Sequence, residues 1–253
     1  MEKESLVDMG DEGSPRYSNR WVGSESRTAS AVILFDIDGT LLRRAGPRHR
    51  KALVSAVLRV TGVETSNDHI ATQGMLDSDI LDMMLREAGI SARAARKAMP
   101  AIMREAEVDY HSECPDLRRK VCPGVRRFLS KLPAAETRAG LVTGNLPLIG
   151  WRKMERAGLR HHFSFGAFAG QGKDRAELVK VALKNAKADG WLRRNTPVAL
   201  VGDHPNDVNA AKANGVRSVA VATGLVGRDE LAAHSPDFLV DDLSHLRLED
   251  LFS

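Results

Sequence analysis

The chain has 253 residues, 43% of them hydrophobic but only 5% aromatic, which is material for one or two domains with a mainly aliphatic core. Its formal charge of +4 suits an anionic small substrate, while no arginine and aromatic platform of the kind that binds nucleic acid is visible. No apolar run approaches the roughly 18 residues needed to cross a membrane. Two cysteines, Cys114 and Cys122, give no disulfide framework, so a reducing, cytoplasmic setting is expected.

Residues 1–30 read as a disordered tail, rich in Gly, Ser and charged residues and without periodicity. They lack the apolar core of a secretory signal and are too acidic for a transit peptide. The apolar run Ala31-Val32-Ile33-Leu34-Phe35 then leads without alternation into Asp36-Ile37-Asp38-Gly39-Thr40. An unbroken apolar run suits a strand buried on both faces of a parallel sheet. Asp36 marks its end, and Gly39 allows a tight departure.

Residues 43–120 read as helix throughout. Leu53, Val57 and Val60 share one helical face, with Gly62 as a stop; Leu76, Ile80, Met84 and Ala88 recur at spacing four, followed by Gly89. Ser91 is the expected N-cap of a third helix, which Pro100 is expected to kink or split. This predicts an all-helical module, 43–120, inserted between the first two strands of a core made of 31–42 and 121–253.

From Cys122 helices alternate with strands. Strands are predicted at 138–143, 163–168, 198–203, 217–222 and 238–240, and helices from Pro123, Leu146, Asp174 and Pro205. The fold class is therefore α/β, a doubly wound parallel sheet. In such a sheet all strands end on one edge, so Asp36, Thr143 and Asp203 are predicted to converge, with Asp207 four residues beyond Asp203. Several carboxylates at one rim suit a hard divalent cation.

Asp36-Ile37-Asp38-Gly39-Thr40 resembles the first motif of the haloacid dehalogenase-like hydrolases, in the version found mostly in phosphatases. Leu141-Val142-Thr143-Gly144-Asn145 is similar to the family's second motif, and Gly202-Asp203-His204-Pro205-Asn206-Asp207 to its fourth. The helical insertion looks like the cap of the subfamily containing phosphoglycolate phosphatases and β-phosphoglucomutase. The resemblance implies a Rossmann-like core and a Mg²⁺-dependent phosphatase acting on a small phosphorylated metabolite. Asp36 is then the nucleophile, forming an aspartyl-phosphate, and Asp38 the general acid and base. The metal falls to Asp36, Asp203, Asp207 and the carbonyl of Asp38. Thr143 takes phosphoryl oxygens, and Gly39, Thr40, Gly144 and Asn145 complete the phosphate subsite.

The family also requires a basic residue before the helix after the third strand, and Gly172-Lys173-Asp174-Arg175 offers two. Lys173 fits if the helix is counted back without gaps and is the preferred catalytic cation. Arg175, kept as a substrate-binding residue, fits if Asp174 caps the helix. The alternatives are a phosphomutase, a dehalogenase or phosphonatase on the same fold, or a non-catalytic binding protein. A dehalogenase needs neither metal nor the second acid, which the four acids argue against. The expected partner is a small phosphorylated substrate, with no nucleic acid or membrane, and the expected assembly is a monomer or homodimer.

Overall fold

The computed structural model describes residues 28–43 and 45–252, so the reading of a disordered tail lies almost wholly outside the described residues. Packing is already established just before the first strand. Ala29 is buried, and the Ser30 amide donates to the Glu136 carbonyl.

Six strands form one parallel sheet: β1 (Ala31–Phe35), β2 (Thr137–Val142), β3 (Phe163–Ala167), β4 (Val198–Gly202), β5 (Arg217–Val221) and β6 (Phe238–Val240). Their order is β3-β2-β1-β4-β5-β6. Every residue of β1 is buried, as its unalternated apolar run requires of a central strand covered on both faces. The chain winds outward from β1 through β2 to β3, then returns to place β4 on the other side of β1. The topological switch point of the sheet, where α/β folds keep their ligands, thus lies between β1 and β4. Phe35 is level with Val201 of β4 and with Leu141 of β2, so Asp36 emerges between the ends of both neighbours.

Three helices come first after β1: α1 (Gly46–Thr61), α2 (Asp77–Glu87) and α3 (Ala92–Glu113), with a short fourth between them and β2. α1 packs on α3. Gly62 closes α1 in the left-handed conformation (φ 72°), and Ser91 caps α3 by accepting from the Ala94 amide. Of the two outcomes expected from sequence, a kink or a split, the split does not occur at Pro100. It is the ninth residue of one continuous helix and is exposed, so the Arg96 carbonyl it leaves without an intrahelical donor faces the solvent side. The helix carries this defect because its opposite face, with Ala95, Ile102 and Ala106, is buried.

The remaining helices are α4 (Val125–Lys131), α5 (Pro147–Ala157), α6 (Arg175–Ala188), α7 (Pro205–Ala213) and α8 (Arg228–Ala233). The last had no counterpart in the sequence reading, being too short to display a period. α5 has no side-chain cap of its own. Instead Asp77 of α2 accepts from the Leu146 amide and Glu107 of α3 from the Leu148 amide, each at 2.8 Å. The inserted helices therefore satisfy donors that a helix start otherwise leaves bare.

Candidate active site

The strand ends converge as the topology requires. Asp36, Asp203 and Asp207 are all buried, and one oxygen from each lies within 4.8 Å of the others. Asp207 reaches this cluster because α7 begins one residue after His204. His204 is the N-cap, accepting from the Asn206 amide, while the Asp207 carboxylate accepts from the His204 amide. The cap turns the first face of α7 back towards β1.

Asp203 is fixed from two sides. Thr40 donates its hydroxyl to Asp203 Oδ1 at 3.0 Å. Gly39, in a left-handed conformation (φ 92°), lies against the same carboxylate, where a methyl group would collide with it. Thr40 thus holds a carboxylate in place.

Arg175 is the cation at this cluster. Its Nη1 donates to Asp36 Oδ1 at 3.0 Å and to the Val142 carbonyl at 3.2 Å, and its Nε lies 3.1 Å from Asp207 Oδ1. Lys173, the preferred choice from sequence, is not brought to the site: it is exposed and pairs with Glu177. The cause is local. Asp174 is the N-cap of α6, accepting from the Glu177 amide at 2.8 Å, so Arg175 becomes the first helical residue and turns inward. Asp174 and Lys173 stay outside the helix.

The electrostatics of the cluster are strained. Burial pushes the Asp36 carboxyl up to about 7; Arg175 opposes this, and the charges of Asp207 and Asp38 add to it. Burial raises Asp203 well above the usual range, reinforced by Asp36 and Asp207. Burial raises Asp207 against the pull of Arg175. Three buried carboxylates share one guanidinium, and Asp207 Oδ1 has no well-aligned hydrogen-bond donor among the described residues. Such an oxygen-rich, under-neutralised group fits a hard divalent cation.

A cavity of about 470 Å³ opens on this cluster, lined by Asp36, Asp38, Thr143, Gly144, Asn145 and Arg175 among others. Asp38 is half-buried at its wall. Burial raises the Asp38 carboxyl, but the Lys153 ammonium, together with the hydrogen bonds from Lys153 and Asn145, outweighs it and holds the group below its ordinary value. Thr143 is fully buried, and its hydroxyl accepts from Asn145 Nδ2 at 2.7 Å. Asn145 also donates to Asp38 Oδ2 at 2.8 Å. Gly144 permits a close approach, since a methyl group there would meet the Met75 carbonyl of the insertion.

Three residues of this neighbourhood escaped the sequence reading: Lys153 on α5, His49 on α1 and Asp77 at the start of α2. Lys153 has 0% exposure and donates to Asp38 Oδ2 at 2.5 Å. Nothing in its spacing separates it from an ordinary solvated helix lysine. Of the basic residues at the start of the insertion, Arg43 and Arg50 line the cavity, while Arg48 is engaged by Asp109 and Glu113.

The model of the family described as "haloacid dehalogenase-like hydrolase" matches residues 31–215. A phosphoserine phosphatase of Thermus thermophilus is 33% identical over 170 residues; the match covers 66% of this chain and 61% of that protein's length. A phosphoglycolate phosphatase of Vibrio parahaemolyticus is 26% identical over 221 residues, covering 85% of this chain and 93% of the relative. Among solved structures, the fold is similar to CbbY from Rhodobacter sphaeroides in complex with phosphate, with a TM-score of 0.66, 20% identity, and coverage of 87% of this chain and 98% of that one. It is also similar to β-phosphoglucomutase from Clostridium difficile, with a TM-score of 0.63, 19% identity, and coverage of 88% and 95%. With the family model spanning the motifs after β1, β2 and β4, the chain belongs to the haloacid dehalogenase-like hydrolases.

Proposed function

We propose that this chain is a Mg²⁺-dependent phosphatase that hydrolyses a small phosphate monoester through an aspartyl-phosphate. The observation that carries this reading is the buried group of Asp36, Asp203 and Asp207 around Arg175, open to a cavity whose wall holds Asp38. Relatives named as phosphoserine and phosphoglycolate phosphatases support it.

Asp36 attacks phosphorus, the ester oxygen departs, and Asp38, which enters this step carrying a proton, gives it that proton. Asp38 then takes a proton from water, which attacks the phosphoaspartate and releases inorganic phosphate and free Asp36. Thr143 and the backbone around Gly144 hold phosphoryl oxygens, and Arg175 neutralises charge beside the nucleophile. Asp36, Asp203 and Asp207, with the Asp38 carbonyl implied by the family resemblance, would hold the metal. Bound Mg²⁺ supplies the positive charge that lets a carboxylate approach an anionic phosphoryl group.

The three inserted helices act as a cap, residues 43–120, over this cavity. Arg43 and Arg50 on its wall favour an anionic leaving group, consistent with a phosphorylated acid or sugar. No helix among the described residues is long and apolar enough to cross a membrane. The test is a panel of phosphorylated metabolites assayed with Mg²⁺ and with EDTA. Chelator-sensitive release of phosphate from at least one small monoester is expected. Folded, metal-supplied protein that hydrolyses none of them overturns the reading.

A further inference from the structure

The reaction proposed above leaves unexplained a lysine with no solvent exposure. Lys153 sits behind Asp38 and does not line the cavity. Burying an ammonium group is costly unless each of its protons finds an acceptor. All three do: Asp38 Oδ2 at 2.5 Å, Asn145 Oδ1 at 2.6 Å and His49 Nδ1 at 3.1 Å. Accepting at Nδ1 assigns the proton of His49 to Nε2, which donates to Asp77 Oδ2 at 2.9 Å. Asp77 Oδ2 also accepts from the Leu146 amide, and the Asp77 amide donates to the Gly144 carbonyl, both at 2.8 Å. One continuous chain of bonds thus runs from the start of α5 through Asp77, His49 and Lys153 to Asp38. His49 and Asp77 belong to the inserted helices, while Leu146, Lys153 and Asp38 belong to the sheet core.

The effect on Asp38 is geometric. Lys153 and Asn145 both bond Oδ2, which fixes the plane of the carboxyl group and leaves Oδ1 outside that pair of bonds. A carboxyl that shuttles a proton must sit within hydrogen-bond reach of the ester oxygen, so its orientation controls the rate.

We propose that Lys153 is a positioning residue for Asp38, and that His49 and Asp77 make its placement depend on the inserted helices being docked on the core. The proposal deepens the phosphatase reading and rests on it. Lys153 moves no proton to substrate; it acts through Asp38.

Two esters separate this role from a merely structural one. An alkyl phosphate such as glycerol 2-phosphate needs a proton on its departing oxygen. 4-Nitrophenyl phosphate releases a stable anion and needs little help. Because kcat/KM reports the steps up to the first irreversible one, it isolates attack and departure from later hydrolysis. Lys153→Met is expected to lower kcat/KM by about 10²-fold or more on the alkyl ester and by less than about 10-fold on the aryl ester. His49→Leu keeps Lys153 but removes one of its anchors, and should show the same split at about 10-fold on the alkyl ester. Circular dichroism checks folding of both; if Lys153→Met does not fold, His49→Leu decides. An active wild type whose folded variants lose both esters equally, or lose neither, overturns the proposal alone. A wild type inactive on both esters and on the whole metabolite panel overturns the phosphatase reading and the proposal with it; one active only on the panel is tested with its best alkyl ester there.

Discussion

Arg175 Nη1 lies 3.0 Å from Asp36 Oδ1, although 139 residues separate them in the chain. Both groups are buried. Two other carboxylates crowd the same guanidinium, which they hold firmly protonated against the effect of burial. Removing Arg175 therefore leaves buried negative charge unopposed. Arg175→Met is expected to destabilise the protein by about 3–5 kcal/mol and to lower turnover at least about 10²-fold. Lys173→Ala should leave both unchanged, because its partner is the exposed first turn of α6. Denaturation curves and steady-state rates for the two variants check the contrast.

Replacing the nucleophile separates chemistry from folding. Asp36→Asn keeps an oxygen for Arg175 but cannot form the phosphoaspartate, so activity should fall by more than about 10³-fold. Because the amide carries no charge, the substitution also relieves the repulsion with Asp203 and Asp207, and the metal-free variant should melt no lower than the wild type. A variant with near-wild-type turnover removes Asp36 as the nucleophile.

The raised carboxyls set a pH dependence with a definite sign. Asp36 shifts from an ordinary 3.8 to about 7 in the folded chain. A carboxyl that binds its proton more tightly when folded contributes stability fully below 3.8, and that contribution is lost as pH rises through about 7. Asp203 and Asp207 act in the same direction. The melting temperature of chelator-treated protein should accordingly fall between about pH 6 and pH 8. Mg²⁺ should raise it more at the upper end, where the ligands are ionised without competition from protons. Calorimetric scans with Mg²⁺ and with EDTA at both pH values measure the two trends.

Pro100 offers a test of packing against local propensity. Its site is helical and exposed, so alanine fits and restores a donor to the Arg96 carbonyl. Pro100→Ala should stabilise the protein by about 2 kcal/mol, the gain in helix propensity less the entropy that proline removes from the unfolded chain. Turnover should not change. Chemical denaturation resolves a shift of this size.

The sheet was legible because most of its strand residues are buried on both faces: β1 wholly, and β2, β4 and β5 at all but one position each, so that they read as mainly apolar runs. Three of them, ending at Asp36, Thr143 and Asp203, also announced the site, since parallel strands share one edge. The cation was harder. Lys173 and Arg175 differ only in which side of a helix start they occupy, and one cap residue, Asp174, decides it. Lys153, His49 and Asp77 were invisible for another reason. Their burial arises where stretches far apart in sequence meet, and neither stretch carries a pattern that marks the contact. Thr40 illustrates a subtler gap: its motif position was clear, but its bond to Asp203 depends on the neighbouring strand.

The missing side-chain cap on α5 has a consequence for how the molecule comes apart. The sheet half cannot shed the helical half without stranding the Leu146 and Leu148 amides at the head of the segment that carries Lys153. Each half completes the other's hydrogen bonding, so heat should dissolve both in a single cooperative transition. A sheet expressed without residues 43–120 should start from a frayed α5.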